Sequence, residues 1–429
     1  MAALTTHDQA GDVAGRDVAA RDRRAIGTFV VFEFLWNLGC GTFSMSVVSA
    51  FVVSMGGSLA LAGLIPALGG IISLAAQPLA IVFFGRVSDR RRASASLLWG
   101  MSLSFFALGV IVFVLPANIL REAAVPLAVL LSALGLLFGS INAPLYYSLA
   151  IDSVSPPRLG RLTGLRQAGN AAGNLAAAGL VTWLLASTGQ PFNYGRALFI
   201  GGILGVLGCS SILLMPPPYH ALADDGETRS PLHHLALTLR ELWRHRAFWR
   251  LMSGLWLGAF VSGATGIGVA HLRHVTGSDD VVGLVLVVSA FMRMLGGPAC
   301  GWLVTRKGMR SAAFVSLGVT CAGFVGLVAL PAPAAAIAWG AGIGIAQATM
   351  EMWSFMLPAH MFPRVNRVGL VAVLGTLTGP VMFVAPVLLG RLLDVGLAPA
   401  SVFLPAAGLA QIAMAYFRLR LPAGRPAGK

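Results

Sequence analysis

The stretch Gly85-Arg86-Val87-Ser88-Asp89-Arg90-Arg91-Arg92 decides how this chain is read. It stands between two long apolar runs, at about 59–84 and 93–115. Four arginines and an aspartate cannot follow those runs into hydrocarbon, so the loop marks a membrane surface, and the rule that cationic loops stay in the cytoplasm says which one. About 216 positions later a related loop follows another apolar run: Gly301-Trp302-Leu303-Val304-Thr305-Arg306-Lys307-Gly308-Met309-Arg310. The chain therefore reads as two similar halves.

Composition points the same way. Of 429 residues, 57% are apolar and only 11% charged, where soluble domains carry about 25% charged residues. Mean hydropathy is +0.80. The net charge of +14 is spread over short loops, which is how basic residues hold topology rather than how they bind nucleic acid. Cys40, Cys209, Cys300 and Cys321 all fall inside apolar runs without paired spacing, so neither a disulfide framework nor a metal site is expected. No cofactor is indicated either.

A spanning helix needs about 20 apolar residues. Candidate spans lie near 26–54, 59–84, 93–115, 123–150, 162–187 and 195–215, then near 248–272, 279–304, 311–330, 333–358, 368–390 and 396–417. With an even number of spans, nearly every loop arginine falls on the side of the two termini, Arg158, Arg161 and Arg166 included; only Arg121, Arg196, Arg273 and Arg391 fall opposite. The expected fold is an all-α membrane protein of twelve transmembrane helices in two six-helix pseudo-symmetric halves, with both termini cytoplasmic. The divisions are a polar cytoplasmic tail without fixed structure at 1–25, a six-helix bundle at 26–215, a linker at 216–247, a second bundle at 248–418 and a tail at 419–429. In the linker Leu232, Leu235, Leu239 and Leu242 recur at three- and four-residue spacing beside Arg240, Arg244 and Arg246, as in an amphipathic helix lying on the membrane face.

The duplication has a second witness in Pro157-Arg158-Leu159-Gly160-Arg161 and Pro363-Arg364-Val365-Asn366-Arg367, after the fourth and tenth spans. With both loop pairs in view, the chain resembles the major facilitator superfamily over about 26–418. That family's loop after the second span reads Gly-x-Leu-Ala-Asp-Arg-x-Gly-Arg-Lys. Gly85, Val87, Ser88, Asp89 and Arg90 fit it, while Arg92 stands where a glycine is usual; the later copy keeps Gly301, Leu303, Arg306, Gly308 and Arg310 but has Thr305 at the aspartate position. The resemblance implies a transporter, and a cytoplasmic latch at Gly85, Asp89, Arg90, Gly301, Arg306 and Gly308 in which the aspartate caps a helix and pairs with arginines.

The candidate chemistry lies inside the spans. Arg293 sits about a dozen residues into the eighth, where an arginine costs about 2.5–3.5 kcal/mol unless it faces water or a partner. Its fork of donors suits a carboxylate; the alternative is a structural pair, or carbonyls freed near Gly296, Gly297 and Pro298. Eight residues before Gly301 is Arg293, and eight before Gly85 is Gln77, so these positions correspond in the two halves. Carriers of oxalate and monocarboxylates that resemble this chain also have an arginine in the eighth span.

Glu33 and Glu351 are intramembrane carboxylates suited to carrying a proton, or else to neutralising Arg293. Polar residues continue at helical spacing as Asn37, Asn142, Tyr146, Asn170, Asn174 and Gln347, lining a cavity or joining helices. Gly164, Gly169 and Gly173 stand in the fifth span, but Asn174 occupies the place of the proline found in drug–proton antiporters of the family. His271 and His274 read as ordinary surface histidines near the end of the seventh span.

There is no Gly-x-Ser-x-Gly elbow, P-loop or His-Glu-x-x-His, which argues against an enzyme or an ATP-driven pump. The leading reading is a secondary carrier working by alternating access, a symporter or antiporter moving a small carboxylate coupled to protons or exchange. Drug efflux and a non-transporting scaffold or sensor are the alternatives. The expected partners are a small-molecule substrate and membrane lipid, with the chain a monomer in an inner membrane. Lys307 and Lys429 are the only lysines among 30 basic residues, a usage typical of GC-rich bacteria.

Overall fold

The structure is a computed structural model that describes residues 4–84, 87, 89–155, 158–187, 189–217, 236, 239–351, 357–362 and 367–421. Among the described residues the regular elements are helices: α1 Leu4–Thr42, α2 Met45–Ser54, α3 Leu59–Phe84, α4 Arg90–Val114, α5 Ala117–Asp152, α6 Leu159–Ser187 and α7 Phe192–Ser210 in the first half. The second half has α8 Arg246–Thr276, α9 Asp280–Lys307, α10 Met309–Ala329, α11 Ala332–Glu351, the short α12 Leu357–Met361, α13 Arg367–Asp394 and α14 Pro399–Arg420. Among the described residues, ten helical segments are long and apolar enough to cross a membrane. α6 and α11 stand at the other two expected positions.

In the first half α1 packs on α6 and α7, and α4 on α5 and α7; in the second, α11 packs on α9 and α10, and α10 on α14. The halves meet along two seams, α3 against α13 and α6 against α9. Glycines bring the backbones together there. A side chain at Gly63 would meet the carbonyl of Pro386 at 2.5 Å, and one at Gly70 would collide with the carbonyl of Gly379. Pro66 and Pro78 in α3 and Pro380 and Pro386 in α13 are interior prolines, tolerated where neighbouring helices shelter the freed backbone groups.

Three local features depart from the sequence reading. First, α1 starts at Leu4, so the polar residues near the N-terminus form its first turns. Its polar end is fastened: buried Asp22 accepts from the Ser155 hydroxyl at 2.6 Å and lies 3.7 Å from Arg158 Nε, while Arg158 donates to the Ala19 carbonyl. Second, the first span is two helices, α1 and α2, broken at Phe43 and Ser44. Third, Arg166 is a buried residue of α6 rather than a loop cation. Of the linker leucines, Leu232 and Leu235 lie outside the described residues, whereas Leu242 is fully buried.

Candidate functional site

Two polar groups of side chains occupy the interior, and one residue joins them. The first surrounds Glu33 of α1, which is 5% exposed. Tyr146 of α5 donates its hydroxyl to Oε1 at 2.5 Å, and Arg166 Nε lies 3.4 Å from the same oxygen. Oε2 accepts from Asn37 at 3.0 Å and from Asn170 of α6 at 3.2 Å. The Arg166 guanidinium lies over the Tyr146 ring at 5.6 Å. The carboxylate is thus paired and hydrogen-bonded on both oxygens, the condition under which a buried charge persists. Sequence spacing explains the assembly: Arg166, Asn170 and Asn174 are each four apart on α6, as are Glu33 and Asn37 on α1, so each set shares a face.

Asn174 is the joint. It donates to Asn37 Oδ1 at 3.1 Å and lines a cavity of about 80 Å³ between the halves. The cavity is also lined by Gly41, Ser44 and Ser46 at the α1–α2 break, Ser289 and Arg293 of α9, and Gln347 of α11. Three predicted site residues, Asn174, Arg293 and Gln347, are therefore brought together from both halves. α2 begins beside them, and its first amides carry the partial positive charge of a helix N-terminus. Cys40, between the two groups on α1, lies within electrostatic reach of both Glu33 and Arg293.

The other predicted residues take different places. Asn142 accepts from the Ser94 hydroxyl of α4 at 2.6 Å, a contact between helices of the first half. Gln77 lies on the α3–α13 seam, its amide against Gly375, and its buried Oε1 has no hydrogen-bond partner among the described residues. The side chain of Glu351 lies outside the described residues.

At the end carrying the basic loops, Asp89 caps α4, accepting from the backbone amides of Arg91 and Arg92 at 3.2 and 3.4 Å. It also pairs with Arg91 Nε at 3.2 Å and Arg92 Nε at 3.3 Å. Burial raises its pKa, but the hydrogen bonds and the arginine charges outweigh that and hold it below the ordinary carboxylate value. Arg90 pairs with Asp152 at 2.6 Å. In the second copy Gly301 lies within α9, and Arg306 stacks on Trp302 at 4.6 Å. Gly308 precedes α10 with φ +86°, a conformation that favours glycine. Gly85 lies outside the described residues. A larger cavity of about 430 Å³ is lined by Asp89, Arg91, Arg92, Ser96, Trp99 and Leu213. All six belong to the first half, so this cavity is not the one between the halves.

Sequence reasoning missed Arg166, Ser44, Ser46 and Ser289. Arg166 carried a signal, since it extends the Asn170–Asn174 stripe by one turn. The serines carried none, because serine in an apolar helix most often bonds its own backbone, as Ser289 does to the Leu286 carbonyl.

By sequence, no curated protein matches the chain. By fold, the chain is similar to a crystal structure of a mutant of the nucleoside transporter NupG, with TM-score 0.68 and 14% identity over 93% of this chain and 100% of that one. It is similar to the xylose transporter XylE from E. coli in a partially occluded inward-open conformation, with TM-score 0.67 and 13% identity over 94% and 99%. It is also similar to a bacterial homologue of the human lysosomal transporter Spinster, inward-facing and unoccupied, with TM-score 0.61 and 17% identity over 93% and 97%. The model of the Major Facilitator Superfamily matches residues 25–355. A duplicated helical bundle with polar residues gathered between its halves, the neighbouring transporter structures and this family match agree: the chain belongs to the Major Facilitator Superfamily, and it is a membrane transporter rather than an enzyme.

Proposed function

We propose that the chain is a secondary carrier working by alternating access, and that it moves a small organic anion bearing a carboxylate. The observation that carries this reading is the cavity where Arg293 meets Asn174 and Gln347 at the boundary of the halves. A guanidinium offers a carboxylate two parallel hydrogen bonds. The N-terminus of α2 adds positive potential at the same place, as half-helices do in other carriers. A volume of about 80 Å³ suits a group of a few heavy atoms, whereas drug-sized ligands occupy about 300–1,000 Å³. The basic end is read as cytoplasmic, with both termini there.

Proton coupling is assigned to Glu33. A proton on its carboxylate would weaken the pair with Arg166, and Asn37 and Asn174 form a hydrogen-bonded path from that carboxylate to the cavity. Glu351 stays a second candidate. The test is reconstitution in liposomes with labelled mono- and dicarboxylates, nucleosides and sugars, with and without an inward proton gradient. Saturable carboxylate uptake that collapses in Arg293→Gln supports the reading. Transport confined to neutral compounds and unchanged by that substitution overturns it.

A further inference from the structure

At the end opposite the basic loops, two carboxylates of the second half grip the first. Asp279, just before α9, accepts from Gln190 Nε2 at 2.7 Å, Asn193 Nδ2 at 3.2 Å and the Tyr194 hydroxyl at 2.8 Å. All three donors lie at the entry to α7. Arg273 of the second half, 3.1 Å away, steadies the same carboxylate. Asp394, the last residue of α13, accepts from the backbone amides of Leu59 and Ala60 at 2.9 and 2.8 Å. These are the first two residues of α3, whose opening amides have no partner within their own helix. The carboxylate therefore caps a helix of the other half and faces the positive end of its dipole.

The two contacts close different seams, Asp279 beside α6 and α9 and Asp394 beside α3 and α13. Next to each, the helices already touch. A side chain at Gly283 would meet Thr182 at 2.7 Å, and one at Gly390 would meet the Leu59 carbonyl at 2.6 Å. At the basic end, among the described residues, Asp89 with Arg91 and Arg92, Arg90 with Asp152, and Asp22 with Arg158 are ion pairs within the first half. The α3–α13 seam stays close further along, where Gly70 meets Gly379 and Gly375 meets Gln77.

We infer that Asp279 and Asp394 form a two-point clamp that shuts the outer end of the central cavity, and that its release is the step that opens the cavity to the outside. Both are positioning residues: neither lines the cavity, and each sets which state the halves adopt. The inference rests on the alternating-access reading given above. Its design is one-sided, with the acceptors in the second half and the donors in the first. Losing either carboxylate therefore orphans donors without creating a repulsion.

The test uses a side-specific label. Cys40 is partly exposed and adjoins Gly41 of the cavity, whereas Cys209, Cys300 and Cys321 are buried. In a full-length protein with those three changed to alanine, Cys40 is challenged in intact cells with a membrane-impermeant maleimide. With the clamp intact, labelling from outside is slow. In Asp394→Ala, Asp279→Asn and the double variant it rises, on the order of tenfold in the double, the shift expected when charge-assisted hydrogen bonds to one state are lost. Asp280→Asn, next to the clamp but outside it, leaves labelling unchanged, and Asp394→Asn, which keeps one acceptor oxygen, restores part of the protection.

A permeant maleimide reports total reactive Cys40 and so identifies any variant that fails to fold; if the double variant does, the exposed Asp394 position is read alone. Outside labelling that stays flat in folded Asp394→Ala overturns the clamp. The readout needs no substrate, so raised labelling in a protein that carries no carboxylate would keep the clamp and discard the substrate class.

Discussion

Arg166 of α6 holds its Nε 3.4 Å from Oε1 of Glu33 in α1, with the two side chains 8% and 7% exposed. A pair this deep follows an asymmetric rule. Removing one partner strands the other charge at about 3–5 kcal/mol, whereas replacing both is often nearly neutral. Arg166→Gln and Glu33→Gln alone should therefore each lower the unfolding midpoint of the detergent-purified protein, the glutamate change more, because a stranded guanidinium cannot shed its charge whereas a stranded carboxylate can take up a proton. The double variant should recover most of the loss. Strict additivity of the two would show that the pair is not coupled.

Transport separates the two roles of that pair. Glu33→Gln keeps one acceptor oxygen, enough for the hydrogen bond from Tyr146, but its amide nitrogen cannot accept from Asn37 and Asn170, and the carboxylate is gone. Accumulation driven by a proton gradient should disappear while exchange of internal for external substrate continues. Glu351→Gln is the parallel case, and wild-type accumulation in both variants would remove proton coupling from these carboxylates.

How far this site could be read from sequence follows from distance along the chain. The spans and the paired basic loops were legible because apolar length and charge placement are local properties. Asn174, Arg293 and Gln347 were legible as rare polar residues in apolar helices, and they do share a cavity. Arg166 was read as a loop cation because its partner lies on another helix, and nothing near it in sequence announces burial. The break between α1 and α2 was hidden, since Gly41-Thr42-Phe43-Ser44 has no proline and is continuous in hydropathy with its flanks. Asn142 and Tyr146 are four apart, yet one meets α4 and the other α1, because one helix face is wide enough to serve two neighbours.

Arg293 gives a sharp contrast between substrate classes. Arg293→Lys keeps the charge but loses the planar fork, and should weaken carboxylate transport by at least about tenfold, one bidentate hydrogen bond at about 1.4 kcal/mol or more. Arg293→Gln should abolish it. A drug-efflux carrier would instead keep resistance in both, which growth in the presence of cationic and apolar compounds measures directly.

Asp89 predicts a pH dependence. Its folded pKa is depressed below 3.8 by the arginine amides and side chains, so its contribution is fully present above the ordinary carboxylate value and is lost as pH falls through the lower folded one. Asp89→Ala should cost about 1 kcal/mol at pH 7, the usual worth of a helix cap, reduced somewhat because the site is partly solvated. Thermal unfolding of wild type and variant should converge as the pH is taken down through the depressed folded pKa. Asp89→Asn retains a capping oxygen and tests the latch separately: unchanged transport and unchanged accessibility from the cytoplasmic side would leave Asp89 as a cap only.

The α3–α13 seam distinguishes a clash that can relax from one that cannot. A side chain at Gly375 would strike the amide of Gln77, the far end of a flexible side chain, whereas one at Gly70 would strike the carbonyl of Gly379 and the amide of Phe383, both fixed backbone. Gly375→Ala should therefore impair transport mildly, and adding Gln77→Ala should restore it, because the Gln77 amide is what a side chain there would meet first. Gly70→Ala should prevent the close approach of the helices, and no single side-chain truncation on α13 should rescue it. The distinction is read by transport rate together with outside labelling of Cys40. In Gly70→Ala the label should enter as it does when the clamp is broken, since the same seam is forced apart nearer the middle of the helices. Protection of Cys40 in Gly70→Ala would mean that the two helices can shift along each other without separating.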